Sequence, residues 1–287
     1  MTHPSRPSFG IMTPPSHVEY HHVLRVWREA DAIPEIEHAW LYDHLMPLGG
    51  DPNGPTFEGW TLLAALAAQT RRLQLGLMVT SNRFRPPALL AKMAATVDVV
   101  SGGRLVLGIG VGSRPGHPIA LREYLAHGLP FLDTDLAVAS LDEACTVIRR
   151  LWTEEAPFDF HGDHIQLTGA FCNPKPAART PILIGGRSKA TLRLVARHAD
   201  IWNIPGGDIA DCRSRSELLD SYCHDIGRDP SAVRRSIALP VSYDDPASTR
   251  TAVHQAEDAG FTHIVLMLSP PYPTAIAQQL ADHVIRP

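Results

Sequence analysis

Several kinds of chemistry lack their residues in this chain. Its four cysteines, Cys145, Cys172, Cys212 and Cys223, show no CxxC spacing, and no triple of ligands recurs at zinc spacing. A zinc knuckle and metal-assisted hydrolysis are therefore not expected. No GxSxG elbow occurs, which removes the usual serine-hydrolase arrangement. There is no Lys/Arg block and no aromatic-basic alternation, and the formal net charge is −4, so an extended nucleic-acid footprint is not expected. The opening MTHPSRPSFG has no apolar run of the secretory kind, and nothing reads as a transmembrane span. The expectation is a cytoplasmic, reduced protein whose partner is a small molecule.

What is present is an alternation. Across 287 residues, 44% of them hydrophobic, short apolar runs alternate with longer stretches of helical period, the pattern of repeated βα units around a parallel sheet. Strands are predicted at 8–13, 38–43, 73–80, 103–109, 181–185, 200–204, 235–241 and 261–268. Helices are predicted at 19–32, 57–70, 87–100, 134–152, 188–198, 214–226, 247–258 and 273–284. Eight strands predict an α/β fold, a TIM (β/α)8 barrel, in which loops after the strands' C-terminal ends build the active site. An open doubly wound sheet is disfavoured because no GxGxxG follows the first strand. Strands four and five are about 70 residues apart, so an insertion is expected there, with a small hairpin in FDFHGDHIQL at 158–167. The chain reads as one domain, with about 113–180 capping the site.

Four places could carry chemistry. Asp43 and His44 fall where the second strand gives out, at the barrel rim, where an imidazole with an ordinary pKa of about 6.5 can exchange protons with a substrate. Their alternative roles are a turn cap and a solvated loop histidine. The third strand ends in Met78, Val79, Thr80, Ser81 and Asn82, followed by Arg83 and Arg85. Polar groups there suit a flat heteroaromatic ring, and the arginines suit a phosphate or carboxylate, unless the stretch is simply a polar loop. Gly108, Gly110 and Gly112 alternate in LGIGVGS, either to admit a planar ligand or to pack tightly inside the barrel. Gly185, Gly186, Arg187 and Ser188 end a strand and lead into a helix, which suits a phosphate, or else an ordinary turn with Ser188 as N-cap.

WLYDHLMP at 40–47, the block at 58–112 and PILIGGRSKATLRLVARHADIWN at 181–203 resemble the bacterial luciferase-like superfamily, in particular its branch that uses the deazaflavin coenzyme F420. The resemblance implies a TIM barrel and a homodimer. It implies His44 beside the reactive carbon of the deazaflavin, with Asp43 supporting it. A cis peptide or bulge at Met78 and Val79 would back the ring, and Thr80, Ser81 and Asn82 would contact its polar edge or ribityl chain. Gly108, Gly110, Val111, Gly112 and Ser113 would pass beside it, and Gly185, Gly186, Arg187 and Ser188 would bind its phosphate. Two positions depart from the family's dehydrogenases: Ser113 stands where they carry a glutamate, and Leu48 where they carry a tryptophan. The function so implied is hydride transfer between the deazaflavin C5 and a small organic substrate. The alternatives are an FMN-dependent monooxygenase and a non-catalytic ligand-binding barrel.

Overall fold

Alternating apolar runs become the staves of a barrel. The structure, a computed structural model, describes residues 6–113, 116, 119–131 and 133–286. The strands are β1 (Ser8–Met12), β2 (Ile36–Leu41), β3 (Gln74–Leu77), β4 (Thr80–Ser81), β5 (Leu107–Gly110), the pair β6 (Phe158–His161) and β7 (Gln166–Ala170), then β8 (Ile182–Gly185), β9 (Ile201–Pro205), β10 (Arg234–Pro240) and β11 (His263–Met267). Nine of them form one parallel sheet in the order β3-β2-β1-β11-β10-β9-β8-β5-β4. Its two end strands are halves of one stave, so the sheet returns on itself. A parallel bridge between Leu75 and Leu105 completes the circuit, with the Leu75 amide on the Arg104 carbonyl at 3.0 Å and the Val106 amide on the Leu75 carbonyl at 2.9 Å. This is the TIM barrel expected from the strand count.

The helices are α1 (Tyr20–Asp31), α2 (Gly59–Ala67), α3 (Pro87–Ser101), α4 (Ala120–Ala126), α5 (Thr134–Thr153), α6 (Lys189–His198), α7 (Ile209–Asp225), α8 (Pro246–Asp258) and α9 (Ile276–Leu280). In α1 the buried residues Val23, Val26, Trp27 and Ala30 recur at helical spacing and form one face. Helix α3 starts on Pro87, where a missing amide hydrogen costs nothing, and stops at Gly102 in the left-handed region. Most of the apolar core lies between the sheet and these helices. A smaller cluster of Trp40, Met78, Val106, Leu183, Ile201, Ala238 and Val265 packs together separately.

Several boundaries differ from expectation. The third stave is divided, because Met78 and Val79 leave the ladder between β3 and β4. The fourth begins at Leu107 rather than at 103, since Gly102 and Gly103 both have positive φ and Arg104 turns back onto the carbonyls of Ala67, Thr70 and Leu73. Helix α7 starts earlier, at Ile209, because Asp208 caps it by accepting from the Ala210 amide. Helix α4 was not expected at all. The hairpin forms as β6 and β7, but Glu143 of α5 holds its turn through the amides of Asp163, His164 and Ile165. Among the described residues of the interval 113–180, only Ser113, Thr134 and Val138 line the cavity at the C-terminal ends of the strands. Among the described residues no helix is long and apolar enough to cross a membrane.

Candidate active site

At the C-terminal ends of the staves lies a cavity of about 500 Å³, lined by Asp43, His44, Met78, Val79, Ser81, Arg83 and residues 110–113 and 185–188, among others. Its size is that of a small-molecule site. A depression of about 770 Å³ at the opposite end is lined by Arg234 and Thr262, at or just before the starts of β10 and β11, the end of a barrel that serves stability.

Asp43 is 1% exposed and fully engaged. Its carboxylate accepts from both terminal nitrogens of Arg85, at 2.5 and 3.1 Å, and from the Thr80 hydroxyl. Arg85 also pairs with Glu58, which caps α2 through the amides of Trp60 and Thr61. Burial pulls the Arg85 pKa down, but the bonds and charges of Asp43 and Glu58 outweigh it and the net shift is upward. Arg85 therefore clamps the end of β2 to the start of α2 and is not available to a ligand. Thr80 is consumed in the same clamp and receives the Trp60 indole N–H at 3.3 Å.

His44 is held from the other side. Glu123 of α4 is fully buried, and its two oxygens stand 3.2 and 3.1 Å from His44 Nδ1, while one of them also accepts the Leu45 amide at 2.5 Å. A carboxylate only accepts, so the Nδ1 hydrogen faces Glu123 and Nε2 is the nitrogen left for the cavity. Nothing in the sequence reading pointed to Glu123. It lies in an unexpected helix, 79 residues from its partner. Ser113, where the resemblance marked a glutamate in the family's dehydrogenases, lines the cavity, and the carboxylate that meets His44 is that of Glu123. Leu48 is 39% exposed and does not line the cavity.

The wall between these groups is made by β4, β5 and β8. The Met78–Val79 peptide is cis, at the position the resemblance marked. A Cβ on Gly110 would lie 2.8 Å from the Val79 side chain, and one on Gly185 would lie 3.0 Å from it. These glycines make room for Val79 as well as for anything in the cavity. Gly108 does not line the cavity, and a Cβ there would strike the Leu77 carbonyl at 1.8 Å, so the packing alternative holds at this position. Gly112 has φ +91° and would bring a Cβ within 2.4 Å of Ser81 Oγ and 2.7 Å of Tyr124 Oη, two atoms hydrogen-bonded at 2.8 Å. Asn82 is also turned away: its amide donates to the Gly110 carbonyl at 3.0 Å and its side chain to Ser140 at 3.3 Å. Thr80, Asn82 and Gly108 thus stand behind the cavity, whereas Met78, Val79, Ser81, Gly110, Val111, Gly112 and Ser113 face it.

The turn after β8 presents the start of α6. Ser188 is its N-cap, accepting from the Thr191 amide at 3.1 Å, so its hydroxyl is committed to the helix. The Gly186 amide is committed too, to the Asn203 carbonyl at 3.0 Å. Gly186 has φ +142°, and a Cβ there would meet Thr191 Cγ2 at 2.8 Å. Arg187 reaches the carbonyls of Pro205 and Gly206 at 2.9 and 3.2 Å with its side chain 47% exposed. What remains for an anion is the positive end of α6, the Arg187 charge and close access over Gly186. Phe84, Thr134, Val138, Thr191, Asn203 and Pro205 complete the lining. The residues were in plain sight, but no local pattern marks a strand-end asparagine as facing a cavity.

The chain matches the family described as luciferase-like monooxygenase over residues 7–279, and it belongs to that family. It is 31% identical to an uncharacterised protein of Mycobacterium tuberculosis, over 76% of this chain and 70% of that one. It is likewise 31% identical to a protein of Kineococcus radiotolerans named F420-dependent glucose-6-phosphate dehydrogenase, over 74% of this chain and 61% of that one. In fold it is similar to an F420-dependent secondary alcohol dehydrogenase solved with an F420-acetone adduct, with a TM-score of 0.85 at 18% identity, covering 98% of this chain and 100% of that one.

Proposed function

We propose that this luciferase-like chain is an F420-dependent oxidoreductase that binds the deazaflavin in the mouth cavity and aligns a small organic substrate over its C5. The observation that carries the reading is His44, anchored at Nδ1 by Glu123 with Nε2 left toward a cavity walled by Val79 and Gly110. The relatives' names support the choice of cofactor. The deazaflavin, when bound, supplies the two-electron hydride chemistry.

The chain's own residues bind, orient and manage a proton. Met78, Val79, Gly110, Val111 and Gly112 offer a wall for a planar ring. Gly186, Arg187 and the α6 N-terminus offer a place for a phosphate. His44 Nε2 accepts the proton of an alcohol during oxidation, or returns it to a carbonyl oxygen during reduction, while Glu123 holds the imidazole in the tautomer that leaves Nε2 unprotonated at the start of the oxidative direction. Asp43 keeps the loop in place through Arg85. In this reading Ser113, Thr134 and Val138 border the ring's site, and no residue of the hairpin lines the cavity.

The test is titration of the purified protein with F420 and with FMN, followed by fluorescence quenching, then stoichiometric reduction of the loaded forms by dithionite and mixing with oxygen. Preferential F420 binding with slow reoxidation in air supports the reading. Tight FMN binding with rapid oxygen consumption on reduction replaces it with the monooxygenase, the activity in the family's description.

A further inference from the structure

The cavity contains a cation that the mechanism above does not use. Arg83 is 7% exposed and follows β4, on the side of β5 opposite the 185–188 turn. Its Nε donates to the Val111 carbonyl at 3.0 Å, but Nη1 and Nη2, both buried, have no hydrogen-bond partner among the described residues. Its guanidinium carbon lies 5.9 Å from the Tyr124 ring centroid and 5.2 Å from that of Phe131, a setting that orients the plane without consuming an N–H. Burial lowers its pKa, opposed by Tyr124 and by Asp133. Asp133 forms no ion pair with it and instead caps α5 at the Leu136 amide. The contrast with Arg85, two residues on and bonded to two carboxylates, is sharp. A buried guanidinium whose end is unpaired carries a desolvation cost that an anionic ligand would recover.

We propose that Arg83 forms a second anion-binding point in the mouth, separate from the 185–188 turn, which receives a carboxylate or phosphoryl group through Nη1 and Nη2. With Nε spent on Val111, the two terminal nitrogens present parallel N–H groups to a planar pair of oxygens, a geometry lysine does not reproduce. The proposal rests on the cavity and not on which flavin occupies it. The anion belongs either to the substrate or to a charged part of the cofactor, and the experiment separates these sources.

The Arg83 side-chain Nε–H resonance and the backbone amide resonances of Ser81, Asn82, residue 83, Phe84 and Val111 are followed by NMR while inorganic phosphate and then acetate are added, with the cofactor absent and present, in wild type, Arg83→Gln and Arg83→Lys. Thermal unfolding checks that each variant is folded. The expected result is a saturable shift of the Arg83 signal in wild type, phosphate affinity at least tenfold weaker in R83K, and no saturable response in R83Q. Persistence of the shift in cofactor-loaded protein assigns the anion to the substrate. Its loss on loading, with at least tenfold weaker cofactor binding in R83Q, assigns it to the cofactor. No saturable shift together with unchanged cofactor affinity in R83Q overturns the proposal. So does a higher unfolding temperature in R83Q with both affinities intact, because Arg83 would then be only an unpaired charge.

Discussion

Lowering the pH from 7 to 5 should destabilise this barrel by a worked amount, through two histidines buried together. His38 of β2 and His263 of β11 stack at 3.8 Å with their rings 6° from parallel, both at most 1% exposed. His38 Nδ1 accepts the Trp40 indole at 2.7 Å, His263 Nδ1 meets Ser236 at 2.8 Å, and both Nε2 atoms lack partners among the described residues. Burial, with Arg234 adding repulsion, pushes the His38 pKa down to about 3, and burial followed by His38 and Arg234 lowers that of His263 well below the usual value. The unfolded chain takes up these protons near pH 6.5 and the folded chain does not, so the stability they lend is present above pH 6.5 and is lost as pH falls through the window below it. His38 then contributes a slope of about 1.4 kcal/mol per pH unit, or about 2 kcal/mol by pH 5, and His263 adds to it in the same direction. The carboxylates of Asp31 and Glu58, both lowered, titrate beneath that window, while Glu257, raised by burial, trims the effect slightly. Urea unfolding at half-unit steps from pH 7 to 5 reads the slope directly. His263→Asn should lower it whatever that variant does to stability at pH 7, and an unchanged slope would refute the argument.

Other outcomes follow from the site. Replacing His44 with alanine should cut turnover by about 10²–10⁴-fold, the range of acid–base contributions, with little change in cofactor dissociation constant; equal losses in both would make His44 a binding residue. Glu123→Gln should lower kcat at least tenfold while cofactor affinity stays put, and nitrogen-15 NMR should show the His44 ring hydrogen redistributed between its nitrogens; an unchanged tautomer would sink the positioning role. Gly186→Val forces a side chain into a φ of +142° and onto Thr191, a strain of about 1–3 kcal/mol that should weaken cofactor binding about tenfold. Undisturbed cofactor affinity in that variant would remove the turn from the phosphate site.

Local chemistry was enough for the staves and their helices, because a run such as LQLGL or PILIG has no stable home except a sheet buried on both faces. It was enough for the positions of His44 and of the 185–188 turn, since a strand end in a parallel barrel faces the mouth wherever the closure is. It could not divide Thr80 and Asn82 from Ser81, or Gly108 from Gly110, because that depends on what each side chain meets across the sheet. Asp43, expected to support His44, is held by Arg85 and Thr80.

By itself, then, the order of residues determined the barrel, its eight staves and the rim on which chemistry could sit, all consequences of periodicity along the chain. Only the tertiary structure decided which arginine is spent and which is left over, and which carboxylate stands behind the histidine. Those outcomes come from contacts between segments as far apart as His44 and Glu123, and pairings across such distances leave no periodic trace in the sequence.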